Sequence, residues 1–288
     1  PQNRAEVGSM KPDEFEFISR TVRQRSGLVL TEDKAYLVES RLLPVARKFG
    51  HKSVDEFVTS VHRGPDEAKL RAITEAMTTN ETLFFRDTKP FDQFKRVVLP
   101  AMLEARAARK TVRIWCAACS SGQEPYSLSM ILKEEGARLA GWRFEIVATD
   151  ISAEMLDRAR AGLYTQFEVQ RGLPIQYLMK HFKQIEDKWQ LSNEIRSSVD
   201  YREFNLLSDP RGLGHFDIVF CRNVLIYFDQ PTKTDVLNRL RTIMPEDGVL
   251  YLGGAETVLG ITDKFEPLPN ERGLYRCIAK QGASFAAL

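Results

Sequence analysis

Several features that would assign the chain to a common class are missing from its sequence. No apolar run reaches the ~18 residues that a membrane-spanning helix needs. Basic and acidic residues nearly balance, at 41 against 39, so charge does not indicate nucleic acid or a lipid surface as a partner. Residues 1–9 lack the apolar core of a signal peptide, and the letters GSM are typical of a cloning remnant, which makes Met10 a candidate natural start.

Cysteine and histidine are scarce, with four of each. A zinc site typically needs a second cysteine pair or a histidine pair beside one C-x-x-C. The histidines show no such pairing: His51, His62, His181 and His215. No bound metal is therefore predicted. Three of the cysteines lie in or beside apolar strand-like runs, which is typical of buried thiols in a reducing cytoplasm.

Two phosphate-binding signatures are also missing. The segment AACSSG at 117–122 has one glycine where a dinucleotide fingerprint needs three, and it lacks the Lys-Ser/Thr pair of a P-loop. A nucleotide-dependent oxidoreductase is therefore disfavoured.

Residues 10–88 are predicted to form an all-helical domain, followed by linker helices over 89–110. Apolar residues recur three and four positions apart, and Gly27 and Gly50 are placed to end two helices. The four segments are PDEFEFISRTVRQRSG, EDKAYLVESRLLPVARKFG, SVDEFVTSVHRG and DEAKLRAITEAMT.

From residue 111 to residue 280, short β-rich runs alternate with helical ones, which predicts an α/β domain with a mainly parallel sheet. The predicted strands are TVRIWC, RFEIVATD, FDIVFCR, VLYLGGA and GLYRCIAK. Helices are predicted at about 123–138, 152–161 and 230–243. The stretch Lys183–Leu207 is typical of short antiparallel strands, which indicates a β-subdomain inserted at about 165–204.

The loop AACSSG joins a strand to an amphipathic helix, which is the favoured ligand-binding place in a doubly wound sheet. Its small residues let backbone N–H groups approach a ligand. A redox pair at Cys116 and Cys119 is an alternative, and it would need thiols with a lowered pKa. We favour two packed thiols beside a ligand-binding loop.

Two carboxylates indicate which ligand this is. Glu124 at the helix start would repel phosphate but can accept hydrogen bonds from an ammonium group or a ribose hydroxyl. Asp150 ends the next strand, where a ribose diol is held in such folds. An adenosine ligand that carries an ammonium group rather than phosphates suggests S-adenosylmethionine. The alternatives are that Asp150 caps the following helix and that Glu124 is a first-turn charge.

Four separated stretches, in this order, narrow the choice: MTTNETLFFRD, WCAACSSGQEPYSL, ATDIS and FDIVFCRNVLIYFDQPTK. Together they resemble the chemotaxis receptor methyltransferases of the CheR family over about residues 11–280. The resemblance implies an α/β fold with an N-terminal all-α helical domain and a Rossmann-like S-adenosylmethionine-dependent methyltransferase domain. A small antiparallel β-subdomain is inserted in the latter. The implied activity is methylation of glutamate side-chain carboxylates on the cytoplasmic helices of chemoreceptors.

The resemblance also implies the residues that bind the cofactor: Asn80, Thr82, Arg86, Glu124, Asp150, Asn205, Leu206, Arg222 and Asn223. Arg86 can clamp the methionine carboxylate as a two-point fork. Tyr227 is the candidate to hold the acceptor carboxylate, which Arg222 or Arg86 can orient. Because a glutamate is already ionised near pH 7, no general base is needed, and positioning and desolvation carry the catalysis.

A candidate receptor-docking stripe lies in the helical domain. Lys34, Arg41 and Lys48 recur every seven residues and share one helix face, which suits acidic receptor helices; a solvated face is the alternative. The short, glycine-free segment FKQIEDKWQLSNEI favours an enzyme that works without a tethering peptide from the receptor.

We therefore expect a monomeric, cytoplasmic enzyme recruited to membrane-bound receptor arrays, without direct membrane insertion. The segment RNVLIY lacks the Asn/Asp-Pro-Pro-Tyr/Phe pattern of nucleic-acid amine methyltransferases, so no nucleic-acid partner is expected. Two alternatives stay open: a ligand sensor with the methyltransferase fold, and a methyltransferase that acts on another protein.

Overall fold

The computed structural model describes residues 10–279, which divide into two compact units. The first unit runs to Thr79 and also includes Tyr227–Asp229, and the second contains the remaining described residues. The predicted cloning remnant in residues 1–9 lies outside the described residues. The predicted end of the α/β domain, residue 280, lies outside them as well. The domain limits derived from the sequence, 10–88, 89–110 and 111–280, stay predictions.

The first unit is built from the four helices that the sequence predicts. They are α1 (Pro12–Ser26), α2 (Ala35–Lys48), α3 (Val54–Arg63) and α4 (Glu67–Met77). Gly27 ends α1 in the left-handed conformation, at a φ of 79°. Ser53 and Asp66 begin α3 and α4 by accepting backbone N–H groups of the first turn. These caps explain why short helices with one apolar face have sharp ends.

The first unit also holds the segment Tyr227–Asp229 at three points. Leu28 forms an antiparallel bridge with Phe228. The Val29 N–H donates to the Tyr227 carbonyl at 2.9 Å, and Arg23 forms an ion pair with Asp229. None of these contacts uses the Tyr227 hydroxyl. The main chain around Tyr227 is therefore fixed independently of that group.

The second unit begins with a helical stretch and continues as alternating strands and helices. Its helices are α5 (Lys89–Gln93), α6 (Leu99–Ala105), α7 (Gln123–Glu134), α8 (Ala153–Ala161), α9 (Gln166–Gln170), α10 (Ile175–His181), α11 (Asn193–Arg196) and α12 (Gln230–Thr242). A π-helical segment, Phe94–Val98, joins α5 to α6.

The strands form two sheets. In chain order they are β1 (Thr111–Ala117), β2 (Arg143–Asp150), β3 (Leu163–Thr165), β4 (Phe182–Ile185), β5 (Lys188–Leu191), β6 (Val199–Glu203), β7 (Ile218–Cys221), β8 (Val249–Leu252), β9 (Phe265–Pro267) and β10 (Leu274–Cys277). The large sheet has the order β6-β2-β1-β7-β8-β10-β9, and the small antiparallel sheet has the order β3-β5-β4.

The predicted fold class is confirmed. Strands β6, β2, β1, β7 and β8 are parallel, and β10 and β9 add an antiparallel edge. All five strands predicted in the α/β domain are present, as β1, β2, β7, β8 and β10. Every residue of β7 and β8 is buried, as expected for central strands of a parallel sheet covered on both faces.

The prediction for Val199–Glu203 was wrong. This segment was expected among the antiparallel strands of the insertion, but it pairs in parallel with β2 as the edge strand β6 of the large sheet. An edge strand keeps one face partly exposed, so buried Val199 and Tyr201 alternate with exposed Asp200. That alternation is also the pattern of an antiparallel strand, and the sequence alone does not separate the two.

No helix within residues 10–279 is both long and apolar enough to cross a lipid bilayer.

Candidate functional site

The topology defines one crevice at the carboxyl ends of the central strands. From β1, the sheet extends to one side through β2 and β6, and to the other side through β7 and β8. The strand order therefore reverses between β1 and β7, and ligands of such sheets bind where it reverses. The loops that follow β1, β2, β6 and β7 carry most of the residues predicted to bind the cofactor.

The loop after β1 has a backbone that few residue types adopt. Ala118, Ser120 and Gly122 all have positive φ, at 58°, 50° and 95°. A Cβ atom on Gly122 would lie 2.6 Å from the Tyr201 hydroxyl oxygen, so only glycine fits there. The small residues thus let the loop fold tightly against its neighbours at the start of α7.

Asp150 anchors this loop from the end of β2. One oxygen of its buried carboxylate accepts the Ser120 N–H at 2.8 Å, and the other accepts the Ser152 N–H at 2.9 Å. A carboxylate oxygen can accept more than one hydrogen bond, so these two bonds are compatible with a ribose diol as a further partner. The cap of α8 is Ser152, whose hydroxyl accepts the Met155 N–H. Asp150 is therefore not the side chain that caps this helix.

Arg222, directly after β7, is the centre of a buried polar cluster. Its side chain is only 1% exposed. It donates to Glu124 at 2.9 Å, to Asp87 at 2.7 Å and to the main-chain carbonyl of Arg86 at 3.0 Å. It thereby joins the end of β7, the start of α7 and the segment before α5. Its structural role is larger than the cofactor contact that the sequence suggested.

Burial and the cluster set the charge of Glu124. Burial raises the pKa of the Glu124 carboxyl above its ordinary value, and the Arg222 guanidinium offsets only part of that effect. The positive charge of Arg86 acts in the same direction as Arg222, which indicates that Arg86 lies near this carboxyl. A carboxylate so placed can accept hydrogen bonds from an ammonium group of a ligand.

Cofactor affinity is expected to fall as the pH is lowered from neutral, because burial raises the pKa of Glu124 and the carboxyl is then protonated at a higher pH than an ordinary glutamate. A protonated Glu124 no longer attracts the ligand ammonium. Calorimetric titration with S-adenosylhomocysteine at a series of pH values measures the effect. In Glu124→Gln the same titration should show a flatter profile. Equal slopes in the two proteins would contradict this role of Glu124.

The segment before α5 brings further predicted residues to the same place. The Asn80 carbonyl accepts the Ser120 hydroxyl at 2.7 Å, so Asn80 lies against the β1 loop. Arg86 donates to the Glu81 carbonyl at 3.0 Å through one of its nitrogens, and Thr82 is half-buried in the same segment. The structure thus gathers these residues around the loop after β1.

The other predicted residues follow β6 and β7. Asn205 accepts the Leu207 N–H at 3.0 Å, and the Leu206 carbonyl accepts Arg239 at 3.2 Å, which fixes the turn after β6. Asn223 follows Arg222 with a φ of 59°, a conformation that asparagine tolerates better than most residues. These residues stand at the same edge of the sheet as Asp150, at the ends of neighbouring strands.

Tyr227 and the three docking candidates lie in the first unit. Tyr227 ends a short 3₁₀ turn, Leu225–Tyr227, and its catalytic role stays a prediction. Lys34 and Lys48 are exposed, and Lys34 ends a 3₁₀ turn directly before α2 instead of lying within that helix. Arg41 is half-buried and donates to the Met77 carbonyl at 3.0 Å, which satisfies an end group of α4.

Glu256 is a site residue that the sequence analysis missed. Its carboxylate accepts four backbone N–H groups at 2.6–3.3 Å: those of Asn223, Val224, Ile226 and Gly253. Glu256 therefore fixes the loop after β7 from the end of β8. The only signal in the sequence was a lone carboxylate in the glycine-rich stretch GGAETVLG after an apolar strand.

The cysteines do not have the properties of a redox pair. Cys116 and Cys119 are free and buried, and burial raises the pKa of both thiols. A redox pair requires the opposite shift. Packing is therefore their role, as the sequence analysis favoured. Among residues 10–279, no group of three or more histidine, cysteine or acidic side chains is arranged to hold a metal ion.

Comparisons with known proteins agree over nearly the whole chain. Residues 13–78 match the all-alpha domain of CheR methyltransferases, and residues 80–274 match their SAM binding domain. Chemotaxis protein methyltransferase Cher2 of Pseudomonas putida is 40% identical over 265 residues, which cover 91% of this chain and 96% of that protein. Chemotaxis protein methyltransferase 1 of Pseudomonas aeruginosa is 41% identical, with the same coverage of each chain. The Salmonella typhimurium chemotaxis protein methyltransferase is 32% identical over 87% of this chain and 86% of its own.

The residues in the crevice fit S-adenosylmethionine. Asp150 offers a carboxylate at the strand end where a ribose is held, Glu124 offers one for an ammonium group, and Arg86 offers a guanidinium for a carboxylate. The matched SAM binding domain includes all three. The cofactor is therefore S-adenosylmethionine, and the chain belongs to the CheR methyltransferase family.

Proposed function

We propose that the protein transfers a methyl group to glutamate side chains on the cytoplasmic helices of chemoreceptors, which gives glutamyl methyl esters. The observation that carries this proposal is the cluster around Arg222, which joins Glu124 to the segment of Arg86 at the edge of the cofactor crevice. Glu124 and Asp87 offset the charge of Arg222, so the cation proposed to face an anionic acceptor is the guanidinium of Arg86. The relatives named above are chemotaxis protein methyltransferases, which favours receptors as the substrate.

The proposed reaction needs positioning more than acid–base chemistry. The bound cofactor supplies a methyl group activated by a sulfonium. An oxygen of the ionised glutamate attacks the methyl carbon while the carbon–sulfur bond breaks, and no proton has to move. Tyr227 is proposed to hold the acceptor by its hydroxyl, and Arg86 to orient it. Removal of water from the carboxylate then contributes to the rate.

A methyl-transfer assay tests the proposal. The protein is incubated with S-adenosylmethionine labelled in the methyl group and with a chemoreceptor cytoplasmic fragment, and the labelled receptor is then treated with mild base. We expect label on the receptor that base releases as volatile methanol, because carboxyl methyl esters hydrolyse under these conditions.

The other outcomes separate the alternatives. Label that resists base would mean N- or S-methylation and would exclude glutamate esters. Label on other proteins but not on any receptor would indicate a different protein substrate. Cofactor binding without transfer to any protein would favour a ligand sensor with the methyltransferase fold.

We also propose that exposed cations of the first unit dock on the acidic receptor helices. Of the three predicted residues, Lys34 and Lys48 are exposed and make no ion pair within residues 10–279. Arg41 is engaged at the end of α4, so a change there would disturb that helix as well as the surface charge. Lys48 is therefore the sharper test.

Lys48→Glu is expected to raise the KM for the receptor fragment several-fold and to leave the affinity for S-adenosylhomocysteine unchanged, because reversal of one exposed charge weakens docking by about 1 kcal/mol. Initial rates at varied receptor concentration measure the effect. Arg20→Glu, an equal charge change at an exposed position of α1, is the control. If both variants behave like the wild type, α2 does not dock on the receptor.

A further inference from the structure

A second cavity lies beside the cofactor crevice, entirely within the second unit. It has a volume of about 660 Å³, which is within the usual range for ligand sites. Its walls include Arg222 after β7 and the stretch from Leu252 to Thr257 after β8. We call it the β7–β8 cleft. Of the residues predicted to contact the cofactor, Arg222 is the one that lines it, so the cleft adjoins the cofactor site without repeating it.

The acidic groups of the β7–β8 cleft are already engaged. Asp87 is paired with Arg222 at 2.7 Å. The Glu256 carboxylate is buried and accepts its four backbone N–H groups. Asp87 is thus offset by a cation, and the Glu256 carboxylate is turned towards the backbone N–H groups of the neighbouring loop.

Two basic side chains of the cleft are not engaged. Lys89 and Arg272 line it, both are exposed, and neither side chain makes an ion pair or hydrogen bond with any residue from 10 to 279. The neighbouring Glu271 pairs instead with Arg96 at 2.8 Å. Among the lining residues, three cations stand against two carboxylates, and two of the cations make no ion pair within the described part of the chain, which favours a ligand with negative charge.

The wall after β8 is open to a polypeptide. A Cβ atom at Gly254 would meet nothing within 4 Å, whereas at Gly253 it would lie 2.8 Å from Asn223 and Glu256 side-chain atoms, so the open part of this wall is at Gly254. A backbone or a side chain of a partner can therefore approach this wall closely.

From this geometry we infer that the β7–β8 cleft binds the acidic segment of the protein substrate that flanks the acceptor glutamate. Lys89 and Arg272 contact carboxylates next to the acceptor, and the cavity receives the segment beside Arg222. The inference rests on the proposed function, since it assumes an acceptor carried by an acidic polypeptide. It adds a specificity site that is separate from the docking residues of the first unit.

The double variant Lys89→Glu/Arg272→Glu tests the inference. We expect its Kd for a receptor cytoplasmic fragment, measured with S-adenosylhomocysteine present, to rise about tenfold, because two attractions become two repulsions. The Kd for S-adenosylhomocysteine should stay unchanged. Lys110→Glu, a charge reversal at an exposed position directly before β1, at the amino ends of the parallel strands and away from the cleft, is the control.

A second receptor fragment makes the test specific. In this fragment the acidic residues that flank the acceptor are replaced by glutamine. The rise in Kd caused by the double variant should then largely disappear, because the partners of the two cations are gone. A rise in Kd that persists with this fragment, an unchanged Kd for the original fragment, or a weakened affinity for S-adenosylhomocysteine would each overturn the inference.

The two proposals fail in different ways. If the wild-type protein forms base-labile methyl groups on the receptor but the double variant binds like the wild type, only the cleft is excluded. If the wild type neither binds nor methylates any receptor, the proposed function fails, and the inference about the cleft fails with it.

Discussion

Replacement of Arg222 by methionine is expected to lower the free energy of unfolding by about 3–5 kcal/mol, the usual cost of removing one partner of a buried ion pair. The Arg222 side chain is 1% exposed and that of Glu124 is 13% exposed, so the variant leaves a carboxylate with little access to water. Asp87 and the Arg86 carbonyl lose the same donor. Urea denaturation of the two proteins measures the difference.

The pH dependence provides an internal check on the Arg222 prediction. The difference in free energy of unfolding between the wild type and Arg222→Met should shrink as the pH falls, because protonation removes the unpaired charge of Glu124. Arg202→Met, which breaks an exposed pair with Asp200, is the control and should cost less than about 1 kcal/mol. If Arg222→Met lowers the free energy of unfolding no more than this control does, the cluster does not hold the second unit together.

Tyr227→Phe is expected to reduce kcat by about 100-fold, since a small misplacement of a reacting group can cost that much. Cofactor affinity and stability should stay close to the wild type. The structure makes this a clean test, because the main chain of Tyr227–Asp229 is held by contacts that do not include the hydroxyl. Methyl transfer at saturating receptor gives kcat, and calorimetry gives the affinity for S-adenosylhomocysteine.

An exposed tyrosine of α2 supplies the control for this experiment. Tyr36 is 73% exposed, and Tyr36→Phe removes an equivalent hydroxyl. Its kcat should equal that of the wild type. Unchanged turnover in Tyr227→Phe would remove the proposed role in holding the acceptor, and the binding of the acceptor would then rest on Arg86 and the β7–β8 cleft.

The sequence was sufficient to predict the central part of the fold. Strands β7 and β8 are unbroken apolar runs that are buried throughout, and β1 and β2 are buried over their carboxyl halves, as expected for strands covered on both faces. The edge strand β6 was assigned wrongly, because its alternating exposure does not reveal the direction of its neighbour. Edge strands are inherently the ambiguous part of a sheet.

The candidate site was predictable residue by residue but not as a network. Glu124 and Asp150 stand in motifs with a recognisable place in the fold, so their roles could be proposed. The link from Arg222 to Asp87 spans 135 positions and depends on how β7 lies beside the segment before α5. Glu256 contacts backbone groups, which every residue type carries, so no pattern of side chains could indicate its partners.

The burial of the four cysteines determines how this protein responds to thiol reagents. Burial raises the pKa of Cys116, Cys119, Cys221 and Cys277, so little thiolate is present, and all four side chains are buried in the folded state. A cysteine introduced at an exposed position would therefore react far faster than the native four, and a fluorescent label could be attached without removing them. The native thiols would in turn report on local opening of the sheet, because their rate of modification measures how often β1, β7 and β10 become exposed.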